Sequence, residues 1–291
     1  MKNSIFILLA FSLLLPIADA AVNVGVSVNT ADFSFLGGYG SWVSVGTYGQ
    51  VWRPRVVSTW RPFTNGEWIM TADGWTWASY ESFGWATHHY GNWFYDPVQG
   101  WVWIPGYEYA PARVSWIYYG NNVGWAPLPP RGVTLVDPWV TSRVRYWNVV
   151  GINNFTNDNV IRFAINIGTV RPHANIRIVR TAPLVVDVER VIKRKVNVVN
   201  VRKVDVKGGA HVFRRVEYPD TVNKRISVHR TRVEKEVVVA KKDDKKVVAA
   251  KKTETTVKAG KKTKEKEKTT VKKTKKGQKG KDKKPNDKPK Q

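Results

Sequence analysis

The stretch that decides the fold reads GEWIMTADGWTW at residues 66–77 and returns as GNWFYDPVQGWVW at residues 91–103. Both copies carry a Gly-x-Trp unit, a turn-forming segment and a Gly-Trp-x-Trp unit in the same order. Short aromatic runs that glycine or proline interrupts every few residues favour strands over helices. Each copy is therefore predicted to be a β-hairpin, with its turn at residues 72–74 in the first copy and 96–97 in the second.

The repeat extends outward from these two stretches. Trp60 and Trp85 precede the two copies at the same spacing, so the repeat units span residues 60–84 and 85–110. The run Pro127-Leu128-Pro129-Pro130 then ends the pattern, because proline does not continue a central strand. We predict a mainly β fold in which residues 21–132 form a small Trp/Gly/Pro-rich antiparallel domain built on tandem hairpins.

Charge divides the chain into unequal parts. The net charge is +25, yet residues 21–132 hold five Arg, no Lys and six acidic residues. Residues 133–240 are basic and rich in Val, Asn and Arg, which predicts a β or extended region. Residues 241–291 hold 22 Lys, 7 acidic residues and no aromatics, so this tail is predicted to be disordered. The pattern indicates a neutral folded module followed by a polycation.

The N-terminus has the features of a secretory signal. Lys2 is followed by an apolar run from Ile5 to Leu15 and by Ala18-Asp19-Ala20, a small-x-small cleavage pattern. The run is too short to span a bilayer, and we predict no transmembrane span. The chain has no cysteine, which excludes disulfides and thiolate metal sites. We predict a signal peptide at residues 1–20 and export to the periplasm or outer surface of a bacterium.

A longer run of motifs carries a family resemblance. It includes Trp52-Arg53-Pro54, the two copies above, and Gly124-Trp125-Ala126-Pro127-Leu128. Residues 39–132 thereby resemble a family of exported bacterial Trp/Gly-rich domains of unknown function, whose members repeat Gly-Trp-x-Trp and end in Gly-Trp-Ala-Pro-Leu. The resemblance implies export and a β-rich envelope or extracellular module, and it supplies no catalytic residues.

The aromatic array is one candidate binding element. Exposed indoles suit sugar rings and cations, and Trp77, Trp93 and Trp103 are the predicted members of such a platform. Arg53 and Arg61 belong to two Trp-Arg-Pro units and are the predicted cationic neighbours. The expected partner of this β-module is a glycan or another envelope protein.

The lysine-rich tail is the second candidate. Polycations bind phosphate polymers by counterion release and gain attraction near anionic surfaces. After export, the expected partners are anionic envelope polymers or a lipid surface. Non-specific nucleic-acid binding is the alternative, and the lack of aromatics argues against base stacking. The predicted tail contacts are Lys241, Lys242, Lys251, Lys252, Lys261, Lys262, Lys272, Lys273, Lys275 and Lys276.

The sequence gives little support for catalytic activity. We therefore predict a non-enzymatic protein without a cofactor or a metal. The neighbours His88 and His89 would point to opposite faces of a strand, so they are poorly placed to share a metal. A carbohydrate-active enzyme is the further alternative, since glycosidases use paired carboxylates. Its candidates would be Glu67, Asp73, Glu81, Asp96 and Glu108.

Overall fold

A computed structural model describes residues 29–133, 146–166 and 178–239. The predicted signal peptide and the predicted lysine-rich tail lie outside these residues. Within them the chain is mainly antiparallel β-structure arranged as hairpins in small sheets, which confirms the predicted fold class. A 3₁₀ helix at Thr30–Leu36 precedes the first strand.

Four hairpins follow one another in residues 40–127. The two predicted hairpins are the second and third of them, and their turns fall at residues 72–73 and 97–99. The strands are β1 (Gly40–Val45), β2 (Gly49–Pro54), β3 (Gly66–Thr71), β4 (Gly74–Ser79), β5 (Asn92–Asp96), β6 (Gly100–Ile104), β7 (Val114–Tyr119) and β8 (Asn122–Pro127). A 3₁₀ turn at Gly46–Tyr48 joins β1 to β2, and helix α1 (Gly84–Thr87) lies between β4 and β5.

Each of the four hairpins places one tryptophan directly opposite another. Because cross-strand neighbours share a face, each pair presents two indoles to the same side of its hairpin. The pairs are Trp42 with Trp52, Trp68 with Trp77, Trp93 with Trp103, and Trp116 with Trp125. The repeat therefore has four structural units, of which the sequence motif revealed two.

Glycine makes room for these indoles. Gly66 lies two residues before Trp68, and a Cβ built on it would lie 2.5 Å from the ring of Trp77 across the hairpin. Gly40 approaches the ring of Trp52 in the same way, and Gly91 approaches Trp103. The Gly-x-Trp unit is thus a packing device, because only a residue without a side chain leaves space for the opposite indole.

The hairpins assemble around a common core. A four-stranded sheet has the order β1-β2-β6-β5, β3 and β4 form a separate pair, and β7 and β8 are extended by β9 (Asn148–Gly151). Eleven of the 13 described tryptophans are buried, and Trp42 and Trp85 are the two that are partly exposed. Several buried indole N–H groups donate to backbone carbonyls, for example Trp52 to Leu36 and Trp125 to Phe63.

The segment after residue 133 completes the same core. Phe155, Val188 and Phe213 are fully or almost fully buried and belong to the cluster that contains the hairpin tryptophans. Hydrogen bonds also cross between the two parts, since Trp75 donates its indole N–H to the carbonyl of Pro183. The described parts of residues 146–239 therefore pack on the hairpin region.

The prediction of β or extended structure for residues 133–240 is partly wrong. The segment does contain β9 and a hairpin of β10 (Arg202–Gly208) and β11 (His211–Glu217). It also contains 3₁₀ helices at Ile152–Asn154 and Val160–Phe163, helix α2 (Val185–Ile192), and a helix, α3, over residues 220–239. The high valine content hid these helices, because valine favours strands locally while tertiary packing decides the outcome.

Helix α3 is held by an apolar face and by one ion pair. Val222 and Ile226 are buried against Ile69 and Tyr80 of the hairpin region. Arg225 lies between these two residues in the sequence and forms a bidentate ion pair with Glu67, with three N–O distances between 2.9 and 3.0 Å. These contacts fix a basic helix beside the neutral hairpins.

Candidate functional site

The three predicted platform indoles lie in the core. Trp77 and Trp103 have no exposed surface, and Trp93 is 2% exposed. Trp93 donates its indole N–H to the carbonyl of Thr87, and Trp103 donates to that of Tyr90. These indoles do not form an exposed platform. The period of a strand shows that two side chains share a face, but glycine opposite the indoles lets that face become the inside.

The two predicted arginines have different surroundings. Arg53 is exposed, and its Nη1 donates to Oε1 of Gln99 at 3.0 Å. Arg61 is partly buried and donates to the carbonyl of Trp147 at 3.3 Å, which ties the hairpin region to the segment before β9. The predicted lysine contacts in residues 241–291 lie outside the described residues.

Glu81 is a buried carboxyl of the hairpin region with several hydrogen-bond donors around it. Its Oε1 accepts hydrogen bonds from the indole of Trp60 at 2.7 Å and from the amide of Asn65 at 3.0 Å. Its Oε2 accepts from the hydroxyl of Ser79 at 2.6 Å. Burial raises the pKa of Glu81, and these three donors oppose that effect. The carboxyl thus joins three segments of the fold.

The other carboxylates considered for a glycosidase also have local partners. Glu67 pairs with Arg225, and burial raises the pKa of the Glu67 carboxyl. Asp73 pairs with Lys203 at 2.7 Å, and Asp96 accepts from two backbone N–H groups of its own turn. Glu108 is largely exposed and lies 3.8 Å from Arg113. Two of these ion pairs join the hairpins to the segment after residue 178, and the other two contacts lie within a single turn or loop.

His88 and His89 follow helix α1 and are buried. Burial lowers the pKa of His88 well below its usual range and lowers that of His89 to about 4, so both rings are neutral at physiological pH. The Nδ1 of His89 lies 3.0 Å from the carbonyl of Ala110. Within residues 29–133, 146–166 and 178–239, no three His, Cys, Asp or Glu side chains are grouped as a metal site requires.

One candidate binding surface is a groove between the hairpins and the basic segment. Its volume is about 690 Å³, within the usual range for ligand sites. Phe35, Tyr39 and Trp85 form its aromatic wall, and Arg215 and Arg230 line the same groove. We call it the aromatic–arginine groove. It brings together side chains from β11, α3 and the hairpin region.

The aromatic wall combines apolar and cationic character. The rings of Phe35 and Trp85 lie 4.8 Å apart between centroids, and Tyr39 is 41% exposed. The guanidinium carbon of Arg215 lies 6.0 Å from the centroid of Trp85, a cation–π contact. A flat ligand with a negative charge would find an apolar surface and a cation within the same groove.

The charged residues that line the groove are Arg215, Arg230, Glu81 and Glu217. Arg215 and Arg202 both pair with Glu217, and their hydrogen bonds hold the pKa of this carboxylate below its usual value. Arg230 donates from Nε to the carbonyl of Tyr80 at 3.1 Å. Among the residues that the structure describes, Arg230 forms no ion pair. Its charge is therefore available to an anion.

Sequence reasoning missed this groove because its walls are far apart in the chain. Trp85 was grouped with the repeat rather than with the binding residues, and no local signal joins it to Arg215. One available signal was the spacing of Val222, Ile226, Val233 and Val237, which is the helical period. It would have identified α3 as an amphipathic helix able to pack on the hairpins.

Comparison with known proteins agrees with the predicted resemblance. Residues 33–132 match the model of a family described as "Family of unknown function (DUF6600)". The match covers the four hairpins and confirms the resemblance predicted for residues 39–132. No curated protein and no solved structure matches the chain. No helix among the described residues has the length and apolarity that a membrane span requires.

Proposed function

We propose that this protein is an exported, non-enzymatic cell-envelope component that binds an acidic polysaccharide in the aromatic–arginine groove. The observation that carries the proposal is that Arg215 and Arg230 line one groove together with Phe35, Tyr39 and Trp85. Sugar rings pack their C–H faces on aromatic side chains, and guanidinium groups bind carboxylates and sulfates in bidentate geometry.

The charge pattern supports an anionic ligand. Residues 29–133 hold five basic and six acidic residues, whereas residues 178–239 hold 15 basic and 7 acidic ones. The groove lies where these two parts meet. Ser82 and Asn223 also line it and offer polar groups to hydroxyls. In this proposal the lysine-rich residues 241–291 add non-specific attraction to anionic envelope polymers, which salt screens.

The proposal is tested by titration calorimetry with hyaluronan oligosaccharides, which carry a carboxylate on every second sugar. Replacing both arginines in an Arg215→Gln, Arg230→Gln variant removes two charge-assisted contacts of roughly 1.5–3 kcal/mol each, so binding is expected to weaken more than about tenfold. The matched control is Arg131→Gln, Arg162→Gln, which removes the same charge from two exposed positions outside the groove. The control variant is expected to bind within about twofold of the parent.

Further arms distinguish the rival functions. Tyr39→Ala, at an exposed aromatic position, is expected to weaken binding of the oligosaccharide while leaving the attraction to anionic vesicles or duplex DNA unchanged. Equal loss for both arginine variants would mean that only net charge matters, which is the behaviour of a non-specific nucleic-acid or lipid binder. Release of new reducing ends from the oligosaccharide would instead support a carbohydrate-active enzyme. Cell fractionation with N-terminal sequencing tests export, and a retained Met1 would refute it.

A further inference from the structure

Two more depressions continue from the aromatic–arginine groove, one adjoining it and the next adjoining the first. The first is an apolar pocket of about 260 Å³, which shares Tyr39, Glu81 and Ser82 with the groove. The second is a groove of about 540 Å³ on the hairpin region, which shares Arg55 and Trp60 with the apolar pocket. The apolar pocket thus has a wall in common with each of the other two.

The second of these depressions, the groove of about 540 Å³, is cationic. Arg53 and Arg55 line it, and no aspartate or glutamate does. Gln99 holds the guanidinium of Arg53, and the Nη1 of Arg55 donates to the carbonyl of Gly38 at 3.4 Å. Neither arginine forms an ion pair within the part of the chain that the structure describes. Tyr95 and Trp101 supply an aromatic surface beside them. We call it the arginine-pair groove.

The apolar pocket between the two cationic grooves has a different chemistry. Its apolar lining comes from two parts of the chain. The hairpin region contributes Val56, Val57, Trp60 and Phe83, and α3 contributes Val233, Val237 and Val238. Its lining also includes the carboxylates Glu81, Glu234 and Glu236. This section therefore favours a neutral ring with apolar faces and disfavours an anion.

We propose that the three depressions form one cleft that holds an internal stretch of a linear acidic polysaccharide. One acidic group binds at Arg215 and Arg230, a second binds at Arg53 and Arg55, and uncharged sugar rings lie over the apolar section between them. The inference rests on the proposed function and extends it, because a ligand that reaches both cationic grooves must be longer than one that fills the first. Two linked sites on one ligand raise affinity through effective concentration.

The experiment measures how affinity depends on ligand length. Hyaluronan oligosaccharides from the disaccharide to the dodecasaccharide are titrated into the full chain at about 0.3 M salt, which suppresses non-specific attraction to the lysine-rich segment. For the parent protein, affinity is expected to rise by more than about tenfold with length and then to level off once both grooves are occupied. Shorter ligands are expected to occupy only the aromatic–arginine groove.

Two variants assign the gain to a site. Arg53→Gln, Arg55→Gln is expected to bind short oligosaccharides as the parent does and to lose most of the gain with length. The control Arg131→Gln, Arg162→Gln has the same charge and the same tail, and it is expected to keep the gain. Both positions in the first variant are exposed, and thermal unfolding monitored by tryptophan fluorescence checks that each variant is folded.

The outcomes separate the two proposals. If no oligosaccharide of any length binds, the proposed function fails. If short and long oligosaccharides bind equally, or if Arg53→Gln, Arg55→Gln keeps the full gain, the extended cleft is refuted while the first groove retains its function.

Discussion

Acidification to about pH 5 should destabilise this fold through a buried histidine. His89 is fully enclosed after helix α1, and burial lowers its pKa from 6.5 to about 4. The unfolded chain exposes the ring and protonates it near its ordinary pKa, whereas the folded state keeps it neutral. Stability that is present above about pH 6.5 is therefore lost as the pH falls toward 4.

The size of the effect follows from the two pKa values. At about pH 7 both states hold His89 mostly neutral, and the difference in protonation costs only a few tenths of a kcal/mol. At about pH 5 the unfolded state is almost fully protonated and the folded state is not, which costs about 2 kcal/mol. For a domain with a stability of roughly 5–15 kcal/mol this is a large fraction.

His89→Asn isolates this contribution. The Asn amide can donate to the carbonyl of Ala110, which the His89 Nδ1 approaches at 3.0 Å, but it does not titrate. Urea unfolding is followed by the fluorescence of the buried tryptophans at about pH 7 and about pH 5. The loss of stability between the two pH values is expected to be about 2 kcal/mol smaller in the variant than in the parent.

The comparison between variant and parent matters because other groups titrate in the same range. The pKa of His88 is also lowered by burial, which adds to the loss. The pKa values of Glu67 and Glu81 are raised by burial, so their contribution to stability is greatest at low pH and is lost as the pH rises. These groups are common to both proteins. Equal losses of stability in parent and variant would refute the reasoning.

Three further predictions concern the packing of the fold, and each is measured as a change in the free energy of unfolding in urea. Gly91→Ala should lower this free energy by about 3 kcal/mol or more, because φ is +61° and the new Cβ would lie 2.1 Å from the carbonyl of Ile104. The control Gly74→Ala has φ +97° but open space around the new Cβ, so it should lower it by about 1 kcal/mol, and equal losses would exclude the steric explanation. Phe213→Ala should lower the free energy of unfolding by about 3–5 kcal/mol, because its ring fills the shared core. Val212→Ala, at an exposed neighbouring position, should change it by no more than about 0.5 kcal/mol. A small effect at Phe213 would show that the hairpins do not need β11 for their stability. Arg225→Leu should lower the free energy of unfolding by roughly 1–3 kcal/mol, because it leaves Glu67 buried without its partner. Adding Glu67→Gln to this variant should recover part of the loss. Additive losses in the double variant would argue against coupling of the two residues.

The hairpins were predictable because glycine and tryptophan mark them locally. The turns at Gly74 and Gly100 have positive φ, and the alternation around them indicates strands without reference to the rest of the chain. The first and fourth hairpins lack the Gly-Trp-x-Trp unit, so the same motif did not reveal them. Helices α2 and α3 were not predicted, because their valines locally favour strands. Packing of their apolar faces on the hairpins stabilises the helices instead.

The candidate site was harder to predict than the fold. Strand periodicity places Trp101 and Trp103 on one face but does not say whether that face is inside, and here both side chains are buried. The aromatic–arginine groove forms only when β11 and α3 pack on the hairpins, and its residues come from segments far apart in sequence. Among the predicted binding residues that the structure describes, only Arg53 lines a groove described above.

The glycines beneath the indoles have a consequence for how such sequences can diverge. Gly66 and Trp77 occupy one volume jointly, as do Gly40 with Trp52 and Gly91 with Trp103. Enlarging the glycine requires a smaller side chain opposite, and shrinking the indole leaves a void that a larger residue at the glycine position could fill. Related chains should therefore change these positions in compensating pairs, eleven or twelve residues apart, so that correlated substitutions at this spacing would report the hairpin register directly.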